Sequence, residues 1–340
     1  MAAVQRTNIA IKMACLLVCQ VLALSLTSFL GASAEVVRED EPKIAKDVKQ
    51  PVTHWVDKDK PLRGLIVAIH GATLHGGAFD PMARKLAEQG YETYAPDLRG
   101  FGRWCTDDGK PIPDGEIAVF RSREDIVDLI LTLREQRPNL PLYMMGESLG
   151  ANLSLWVASV HPNLIDGIVI ASPCSTRRSG LSPTLAADFA KFWVNMKRDI
   201  PLEPYAKRFL SEDDKVTEAY IKDPGNRKTM TFWESMQSMH ANKSSLMYVE
   251  QIPSDMHILC IVGENDRMYK ASAARELMKR IPSPSAHLIV LKNRGHIHFE
   301  TPYIKDDVFA DVTNWLTDVS SQKTAENNLH TESSAVGKKL

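Results

Sequence analysis

Short apolar segments that alternate with helical patterns limit the fold of this 340-residue chain more than any other feature. Most of these segments are continuously apolar, as expected for central strands of a parallel sheet that is covered on both faces. They cover residues 64–70, 91–97, 140–146, 165–172, 256–263 and 286–293. The sequence therefore predicts an α/β fold with an open, mostly parallel sheet, right-handed crossovers and helices on both faces.

The intervals between these segments carry apolar residues at helical spacing. One apolar stripe ends before Gly90, a second follows Ser148, and a third covers residues 308–319. Ser122 and Asp125 fit a capping box that would begin another helix. Each of these helices would turn its apolar stripe toward the sheet.

One long interval breaks this alternation. Residues 174–254 contain no convincing strand, and about 80 residues are too many for a plain loop in a compact domain. Several pieces of the interval are helix-like and rich in large apolar residues, such as "LAADFAKFWVNM" and "TMTFWESMQSMH". We therefore predict a helical cap over the carboxyl ends of the strands, where open α/β sheets bind ligands.

The first 34 residues are typical of an export signal. Arg6 and Lys12 precede an apolar run at 13–30, and small residues follow it as far as Ala34. This order predicts a signal peptide at 1–34 that is cleaved near Ala34, giving a secreted or periplasmic protein. An uncleaved membrane anchor is the alternative, because the apolar run approaches the length needed to span a membrane.

Polar segments follow the signal and end the chain. Residues 35–50 are interpreted as a polar linker and residues 319–340 as a disordered tail, which leaves a folded domain at 51–318. Lysines and arginines number 41 against 42 aspartates and glutamates, for a formal charge of -1. This balance gives no electrostatic reason to expect a nucleic acid as the partner.

Three cysteines lie outside the predicted signal: Cys105, Cys174 and Cys260. Cys260 lies in an apolar run, which favours a buried side chain. Cys105 and Cys174 would pair if their loops met, but nothing in the sequence requires a disulfide, and free thiols are the simpler interpretation.

A serine between two glycines follows the third apolar segment, in the stretch "PLYMMGESLGAN". A G-x-S-x-G match alone is weak, but here a strand precedes it and an amphipathic helix follows it, as a nucleophile elbow requires. Flanking glycines allow the crowded turn to form, and the helix N-terminus favours developing negative charge. The alternative is a β-to-α turn in which Ser148 only caps the helix.

A serine nucleophile needs a base and a carboxylate that orients the base, in the chain order Ser, Asp or Glu, His. Asp266 follows the fifth segment and His296 follows the sixth, each just past the end of a strand. Glu264 is an alternative carboxylate. His298 is an alternative base, although His296 is favoured because it directly follows a glycine in the turn.

The loop after the first segment reads "HGATLHGGAF" and is the expected source of one oxyanion donor. We assign that donor to the backbone N–H of Ala72 and the second to the N–H of Leu149, the residue after the nucleophile. His70 is interpreted as structural, because it would orient this loop. His75 is interpreted as an anchor for a lid or loop.

The motifs "IHGATLHGGAFDPMARKLAEQGYETYAPDLRGFG", "GESLGAN", "GENDRMY" and "NRGHIHFETP" resemble α/β-hydrolases of the monoacylglycerol lipase and lysophospholipase type, which are sometimes grouped with the serine aminopeptidases. The resemblance covers about residues 50–318. It implies Ser148 as nucleophile, Asp266 and His296 as its partners, and a helical cap. The chain departs from the family in "HGATLHGGAF", which lacks the acidic residue and the arginine-tyrosine pair that family members often carry there.

These features together predict a serine hydrolase that cleaves carboxylic esters, with a lipid ester as the expected substrate and transient contact with a membrane surface. Large apolar residues of the predicted cap favour an apolar pocket; they are Phe189, Phe192, Trp193, Met196, Phe232, Trp233 and Met236. A thioesterase, an aminopeptidase that holds the substrate amine with Glu147 or Glu264, and a non-catalytic binding protein are the alternatives. No cofactor or metal is expected, since the sequence has no dinucleotide fingerprint and no histidine-cysteine cluster.

Overall fold

The computed structural model describes residues 35–105, 112, 116–176 and 199–337, with side chains described as far as residue 322. The chain divides into two units, Met1–Glu35 and Val36–Leu340. The predicted signal peptide lies outside the described residues. The helices and strands that the structure describes belong to the second unit.

An eight-stranded sheet forms the centre of this unit, with the strand order β1-β2-β4-β3-β5-β6-β9-β10. Its strands are β1 (Val37–Glu39), β2 (Val52–Val56), β3 (Gly64–Ile69), β4 (Tyr91–Pro96), β5 (Leu142–Glu147), β6 (Gly167–Ala171), β9 (His257–Gly263) and β10 (Ala286–Leu291). The six apolar segments of the sequence are the six parallel strands from β3 to β10, which confirms the α/β prediction. Strands β1 and β2 lie at one edge of the sheet, where β1 is antiparallel to β2 and β2 is antiparallel to β4.

Helices cover both faces of the sheet because most of the parallel strands are apolar on both sides. The helices are α1 (Lys43–Val48), α2 (Asp80–Ala87), α3 (Val119–Gln136), α4 (Leu149–Val160), α5 (Glu203–Phe209), α6 (Asp214–Lys222), α7 (Phe232–Ser245), α8 (Ala271–Arg280) and α9 (Asp306–Gly337). In β3, Leu65, Val67 and Ile69 face one core together with α3 and α4, whereas Ile66 and Ala68 face the other core with α2 and α9. Each fully buried leucine or isoleucine stabilises this packing of helices on the sheet by about 1.5–3 kcal/mol.

The sequence predicted a linker at residues 35–50, but these residues are part of the fold. Strand β1 pairs with β2 at the edge of the sheet. In α1, Ile44 and Ala45 are buried in the core that also contains the α3 side chains. A few apolar positions in a polar segment are enough to anchor it, since its charged side chains remain at the surface.

The capping box predicted at Ser122 and Asp125 is also wrong. Helix α3 already begins at Val119, so both residues lie inside it. Their side chains bind Arg99 instead. Ser122 Oγ accepts a hydrogen bond from the backbone N–H of Arg99 at 3.0 Å, and Asp125 forms a bidentate ion pair with the Arg99 guanidinium at 2.7 and 3.0 Å. A long-range partner has replaced the local one.

The described part of the predicted cap comprises residues 174–176 and 199–254, and it contains α5, α6 and α7. It also contains a two-stranded antiparallel ribbon, β7 (Asp199–Pro201) with β8 (Thr229–Thr231), where the sequence predicted no strand. Three-residue strands are too short to give a recognisable apolar pattern. The helix-like piece "LAADFAKFWVNM" lies outside the described residues.

The last helix extends through the segment that was interpreted as a disordered tail. Helix α9 runs from Asp306 to Gly337, and no proline or glycine interrupts it before Gly337. Its first half packs on the sheet through Val308, Val312 and Leu316. Within the described ranges, none of the helices combines the length and apolarity that crossing a membrane requires.

Candidate active site

Ser148 lies in a sharp turn between β5 and α4. Its φ of 55° and ψ of −113° are unusual for a residue with a side chain. A Cβ on Gly146 would overlap the carbonyl oxygen of Gly150, and a Cβ on Gly150 would overlap that of Ile69 in β3. Only glycine therefore allows the turn to close against the neighbouring strand. The turn holds the Ser148 side chain at the carboxyl edge of the sheet, where the residue is 9% exposed.

A continuous chain of hydrogen bonds joins Ser148, His296 and Asp266. His296 Nε2 lies 2.9 Å from Ser148 Oγ, and His296 Nδ1 lies 2.7 Å from Asp266 Oδ2. With its Nδ1–H donating to the carboxylate, the imidazole presents Nε2 as the acceptor for the serine hydroxyl. The backbone N–H groups of Met268 and Tyr269 donate to Asp266 Oδ1 at 2.6 and 3.0 Å and fix the carboxylate. The structure thus brings together the three side chains that the sequence singled out.

The buried surroundings shift the pKa values of His296 and Asp266. Burial alone would raise the pKa of Asp266, but the charge and hydrogen bond of His296, together with the two backbone amides, lower it. Burial alone would lower the pKa of His296, but the charge and hydrogen bond of Asp266 and the charge of Glu147 raise it above 6.5. The carboxylate is therefore ionised at neutral pH, beside an imidazole with an increased affinity for a proton.

His298 and Glu264, the two alternatives from the sequence, take no part in this chain of hydrogen bonds. The ring of His298 is buried, and its Nε2 has no hydrogen-bond partner in the part of the chain that the structure describes. Burial and the charge of His296 lower the pKa of His298 to about 3, so its ring is neutral. Glu264 is exposed at the end of β9. Of the two histidines, it is His296 that contacts Ser148.

The turn after β3 lies against Ser148. A Cβ on Gly71 would come within 3.3 Å of Ser148 Cβ, so the next residue, Ala72, is close to the serine. Leu149 is the first residue of α4, where backbone N–H groups have no partner within the helix. Both residues that the sequence proposed as oxyanion donors therefore border Ser148.

Two histidines of this turn have structural contacts. His70 is fully buried; its Nδ1–H donates to the Gly71 carbonyl at 2.7 Å, and its Nε2 accepts from the Leu98 N–H at 2.9 Å. Burial lowers the pKa of His70 to about 4, so the ring is neutral and fixes the turn. His75 contacts Asp223 of the cap, with 3.1 Å between Nε2 and Oδ2. These contacts agree with the roles interpreted from the sequence.

The cap also holds Thr73, directly after Ala72. Thr73 has a φ of 75°, a left-handed conformation that is unfavourable for a β-branched residue. The Tyr220 hydroxyl donates to Thr73 Oγ1 at 2.7 Å, and the backbone N–H of Arg227 donates to the Thr73 carbonyl at 2.8 Å. We call these two bonds, together with the His75–Asp223 pair, the cap contact. The cap contact supports the strained turn beside Ser148.

A family comparison identifies the domain that carries this arrangement. The family model described as serine aminopeptidase, S33, matches residues 60–302, which include β3 and the turns of Ser148, Asp266 and His296. The chain belongs to the S33 serine aminopeptidase family. This family membership confirms the resemblance that the sequence motifs indicated.

Lipases are among the relatives of this S33 chain. The monoacylglycerol lipase of Mycolicibacterium smegmatis is 28% identical over 272 residues, which are 77% of this chain and 90% of that protein. Human monoglyceride lipase is 24% identical over 276 residues, which are 80% of this chain and 86% of that protein.

Solved structures of lipases share the fold of this S33 chain. The monoacylglycerol lipase of Paleococcus ferrophilus has a TM-score of 0.63 at 21% identity and covers 84% of this chain and 99% of its own. The Saccharomyces cerevisiae monoglyceride lipase, a soluble variant in complex with a substrate analogue, has a TM-score of 0.66 at 18% identity, covering 85% and 97%. These likenesses confirm the α/β-hydrolase fold.

A cavity of about 750 Å³ adjoins the hydrogen-bonded chain of this S33 hydrolase. Cys174 lines it, with its Sγ 3.3 Å from Ser148 Oγ, and so does Tyr269, whose ring centre lies 5.7 Å from that of His296. Apolar side chains from α7, α8 and the turn after α7 line it further away; they include Met239, Leu246, Met247 and Leu277. An apolar chain in this cavity would have one end beside the serine.

Among the cap residues that the sequence predicted for an apolar pocket, the three that the structure describes do not line this cavity. Phe189, Phe192, Trp193 and Met196 lie outside the described residues. Phe232, Trp233 and Met236 lie in the first half of α7, and Trp233 and Met236 are 56% and 40% exposed. It is the second half of the same helix that faces the cavity. No pattern in the sequence distinguishes the half of the helix that turns inward.

The remaining groups to consider are the cysteines and the side chains that could hold a metal. Cys105, Cys174 and Cys260 are not joined to one another by disulfides, so the possible Cys105–Cys174 bridge does not form. Burial in β9 raises the pKa of Cys260 to about 12, as expected for an inert apolar position. Within the described ranges, no three His, Cys, Asp or Glu side chains come together as a metal site would require.

Two buried carboxyl groups beside the site have contacts that the sequence did not predict. The sequence suggested Glu147 only as a partner for a substrate amine and suggested no role for Glu300. Glu147 accepts hydrogen bonds from three backbone N–H groups of the His296 loop, and Glu300 accepts one from Gly71. A glutamate next to a nucleophile and one four residues after a histidine were the only signals available in the sequence.

Proposed function

We propose that this S33 hydrolase cleaves carboxylic esters of lipids, of the monoacylglycerol or lysophospholipid type, through an acyl-enzyme on Ser148. The observation that carries the proposal is the chain of hydrogen bonds from Ser148 through His296 to Asp266 beside an apolar cavity. The names of its relatives, which are monoacylglycerol and monoglyceride lipases, support the choice of substrate.

In this mechanism, Ser148 Oγ attacks the ester carbonyl carbon while His296 Nε2 accepts the hydroxyl proton. Asp266 holds the imidazole in the required tautomer and stabilises its charged form. The tetrahedral intermediate collapses, the bond to the alcohol oxygen breaks, and His296 returns the proton to that oxygen. Water then attacks the acyl-enzyme with the same base, and the fatty acid leaves. Apart from the substrate, every group in these steps belongs to the chain or to water.

The negative oxygen of the intermediate needs hydrogen-bond donors in fixed positions. We assign this role to the backbone N–H groups of Leu149 and Ala72, which border Ser148. The N-terminus of α4 adds a favourable dipole at the same position. Each such donor contributes about 10²–10³ in kcat in serine hydrolases.

The apolar lining of the cavity supports a long acyl chain as the bound part of the substrate. Exposed apolar side chains of α7, including Trp233 and Met236, support transient contact with a lipid surface from which such a substrate would be taken. The cavity lining also contains the basic side chains of Lys243, Lys270 and Arg280 and the acidic side chain of Glu276, and Arg280 is paired with Glu250 at 3.0 Å. Lys243 and Lys270 are therefore the groups that a lysophospholipid phosphate would contact and a monoacylglycerol would not.

An aminopeptidase is the second candidate, because the family description names that activity. An aminopeptidase must hold the charged amine of its substrate, and Glu147 and Glu264 were the acids available for this. All three N–H groups that contact Glu147 belong to the protein backbone, and Glu264 is exposed at the end of β9. The site therefore favours the ester, although a thioester would fit the same groups.

The test is turnover of four substrates by the full chain, each measured beside Ser148→Ala. The substrates are a long-chain monoacylglycerol, a short-chain soluble ester, an acyl thioester and an amino-acid amide. We expect the long-chain ester to be cleaved with the highest kcat/KM and the amide not to be cleaved. Turnover of the amide alone would favour the aminopeptidase. Turnover of the short ester alone would contradict the lipid substrate, and no turnover at all would favour a binding protein.

We also propose that the chain is exported and that its signal is cleaved near Ala34. The support is the order of basic, apolar and small residues in the first 34 positions. N-terminal sequencing of the protein from the extracellular or periplasmic fraction tests this. A start at Glu35 is expected, and a start at Met1 would favour the membrane anchor.

A further inference from the structure

Glu147 connects the nucleophile strand to the loop that carries His296. It is the last residue of β5, directly before Ser148, and is fully buried. Its Oε1 accepts from the His298 N–H at 2.6 Å, and its Oε2 accepts from the N–H groups of Phe299 and Glu300 at 3.1 and 2.9 Å. Both oxygens are needed, because the three donors approach from the two sides of the carboxyl group.

Glu300 connects the same loop to the turn that carries Ala72. Its side chain is buried, and both oxygens lie 3.0 Å from the N–H of Gly71, the residue before Ala72. A single donor faces both oxygens, so one acceptor atom would be enough for this bond. Within the described residues, no backbone-to-backbone hydrogen bond joins the turn at Gly71 to residues 296–300.

The two carboxyl groups thus join three segments that are far apart in the sequence. These segments carry the nucleophile (147–149), the base (296–300) and one oxyanion donor (70–72). A further hydrogen bond, from Ser172 Oγ directly after β6 to the His296 carbonyl at 2.6 Å, holds the loop of the base. The relative positions of the three reacting groups therefore depend on two glutamates that do not themselves contact Ser148 Oγ.

Folding alone gives no reason to place two acids here. Burying a carboxyl group is costly, and placing a second one near it adds repulsion to the cost of desolvation. Serine or asparagine side chains satisfy buried backbone N–H groups at lower cost. The cost of burying Glu147 is explained if its carboxylate holds the loop of the base more rigidly than a neutral group would, because charge-assisted hydrogen bonds are about twice as strong as neutral ones.

We propose that Glu147 and Glu300 are positioning residues, which hold the His296 base and the Ala72 oxyanion donor in register with Ser148. This inference rests on the proposed serine hydrolase function, and it adds two residues to the set on which that function depends. Glu147 acts through the loop that carries the base. Glu300 acts through Gly71 on the oxyanion donor.

The charges of the two groups differ, and this gives the proposal a specific signature. Burial raises the pKa of Glu147 to about 7, against the lowering effect of the backbone N–H groups and of His296. Burial and the charge of Glu147 raise the pKa of Glu300 well above its ordinary value. Glu300 is therefore the neutral member of the pair at pH 7, and glutamine is a close substitute for it. Glutamine is a poor substitute for Glu147, because its amide nitrogen would face a backbone N–H.

The experiment compares Glu300→Ala, Glu300→Gln and Glu147→Gln in the full chain, with Glu92→Gln as the matched control. Glu92 is a buried glutamate that bonds to His54 and Tyr94, outside the site. On a soluble short-chain ester, we expect kcat to fall about 10–100-fold in Glu300→Ala and at least tenfold in Glu147→Gln, with KM changed less than threefold. Glu300→Gln and Glu92→Gln should stay within threefold of the wild type.

Two further measurements separate positioning from general stability. Inhibition by a trifluoromethyl ketone, whose adduct carries an oxyanion, should weaken by the same factor as kcat in each variant. Hydrogen exchange of the amides at 70–73 should be faster in Glu300→Ala but not in Glu300→Gln. The exchange measurement needs no turnover, so it tests the inference even if the proposed function fails on the substrate used.

A wild-type kcat in Glu300→Ala, equal losses in both Glu300 variants, or unchanged exchange at 70–73 would each overturn the proposal. If Glu300→Ala does not fold, the ranking of the two glutamine variants decides. An active Glu300→Gln beside an impaired Glu147→Gln supports the proposal, and equal activity of the two overturns it. Lack of turnover in the wild type, with the expected change in exchange, would count against the proposed function alone.

Discussion

At the carboxyl edge of the sheet, the side chains of Ser148, His296 and Asp266 are buried and are held by strand ends, glycines and backbone amides. In the cap, by contrast, helix α7 leaves large apolar side chains such as Trp233 exposed, and the described bonds to the turn beside Ser148 are few. The difference separates two tasks. The edge of the sheet fixes the reacting atoms, whereas the cap can adapt to the substrate and to a lipid surface.

The largest expected effect comes from the edge of the sheet. Asp266→Asn should reduce kcat about 10⁴-fold, because an asparagine amide favours the wrong imidazole tautomer. The control is Asp57→Asn, which changes a buried aspartate outside the site and should leave kcat within threefold. Kinetics on a short-chain ester measure both. A loss below tenfold in Asp266→Asn would mean that another group orients His296.

A pH profile tests the same region with a smaller effect. His296 must be neutral to accept the serine proton, and its pKa is raised by Asp266 and Glu147. Activity should therefore fall as pH decreases through a value above 6.5, by about tenfold per pH unit below it. The measurement is kcat/KM on an uncharged ester. An inflection clearly below 6.5 would contradict the electrostatic account of the base.

The cap contact should have a moderate effect. Tyr220→Phe removes the hydroxyl that donates to Thr73 at 2.7 Å, a bond that contributes about 1 kcal/mol. We expect kcat/KM to fall about fivefold, since Thr73 adjoins the oxyanion donor Ala72. The control is Tyr248→Phe, which removes an exposed hydroxyl. Equal effects of the two substitutions would remove the cap contact from the account of the site.

The smallest effect on the chemistry is expected from the exposed part of α7. Trp233→Ser should change kcat/KM on a soluble ester less than twofold, because Trp233 is 56% exposed and does not line the cavity. Binding to phosphatidylcholine vesicles, followed by sedimentation, should weaken several-fold. If the soluble reaction suffers more than vesicle binding does, the division between the cap and the edge of the sheet is wrong.

The sequence predicted the six parallel strands and the arrangement around Ser148 because both depend on local patterns. Apolar runs identify buried strands, and parallel strands bring residues that follow their ends to one edge of the sheet. Asp266 and His296 could therefore be proposed without any alignment. His298 remained an alternative because a shift of two residues in a loop leaves no trace in the pattern.

The features that were missed depend on contacts between distant segments. Ile44 anchors α1 only because α3 offers it an apolar surface, and Ser122 bonds to Arg99 instead of capping its helix. The roles of Glu147 and Glu300 require that three loops meet, which no local pattern can express. The face that α7 turns toward the cavity is set by packing of the cap.

In the proposed mechanism, His296 activates Ser148 as a nucleophile. The most direct measurement is the rate at which a fluorophosphonate labels the full chain, with the modified residue identified by peptide mass spectrometry, in the wild type and in His296→Ala. We predict one label per chain on Ser148 and a rate at least 10³-fold lower in His296→Ala. Labelling of another serine, or equal rates in the two proteins, would contradict the account.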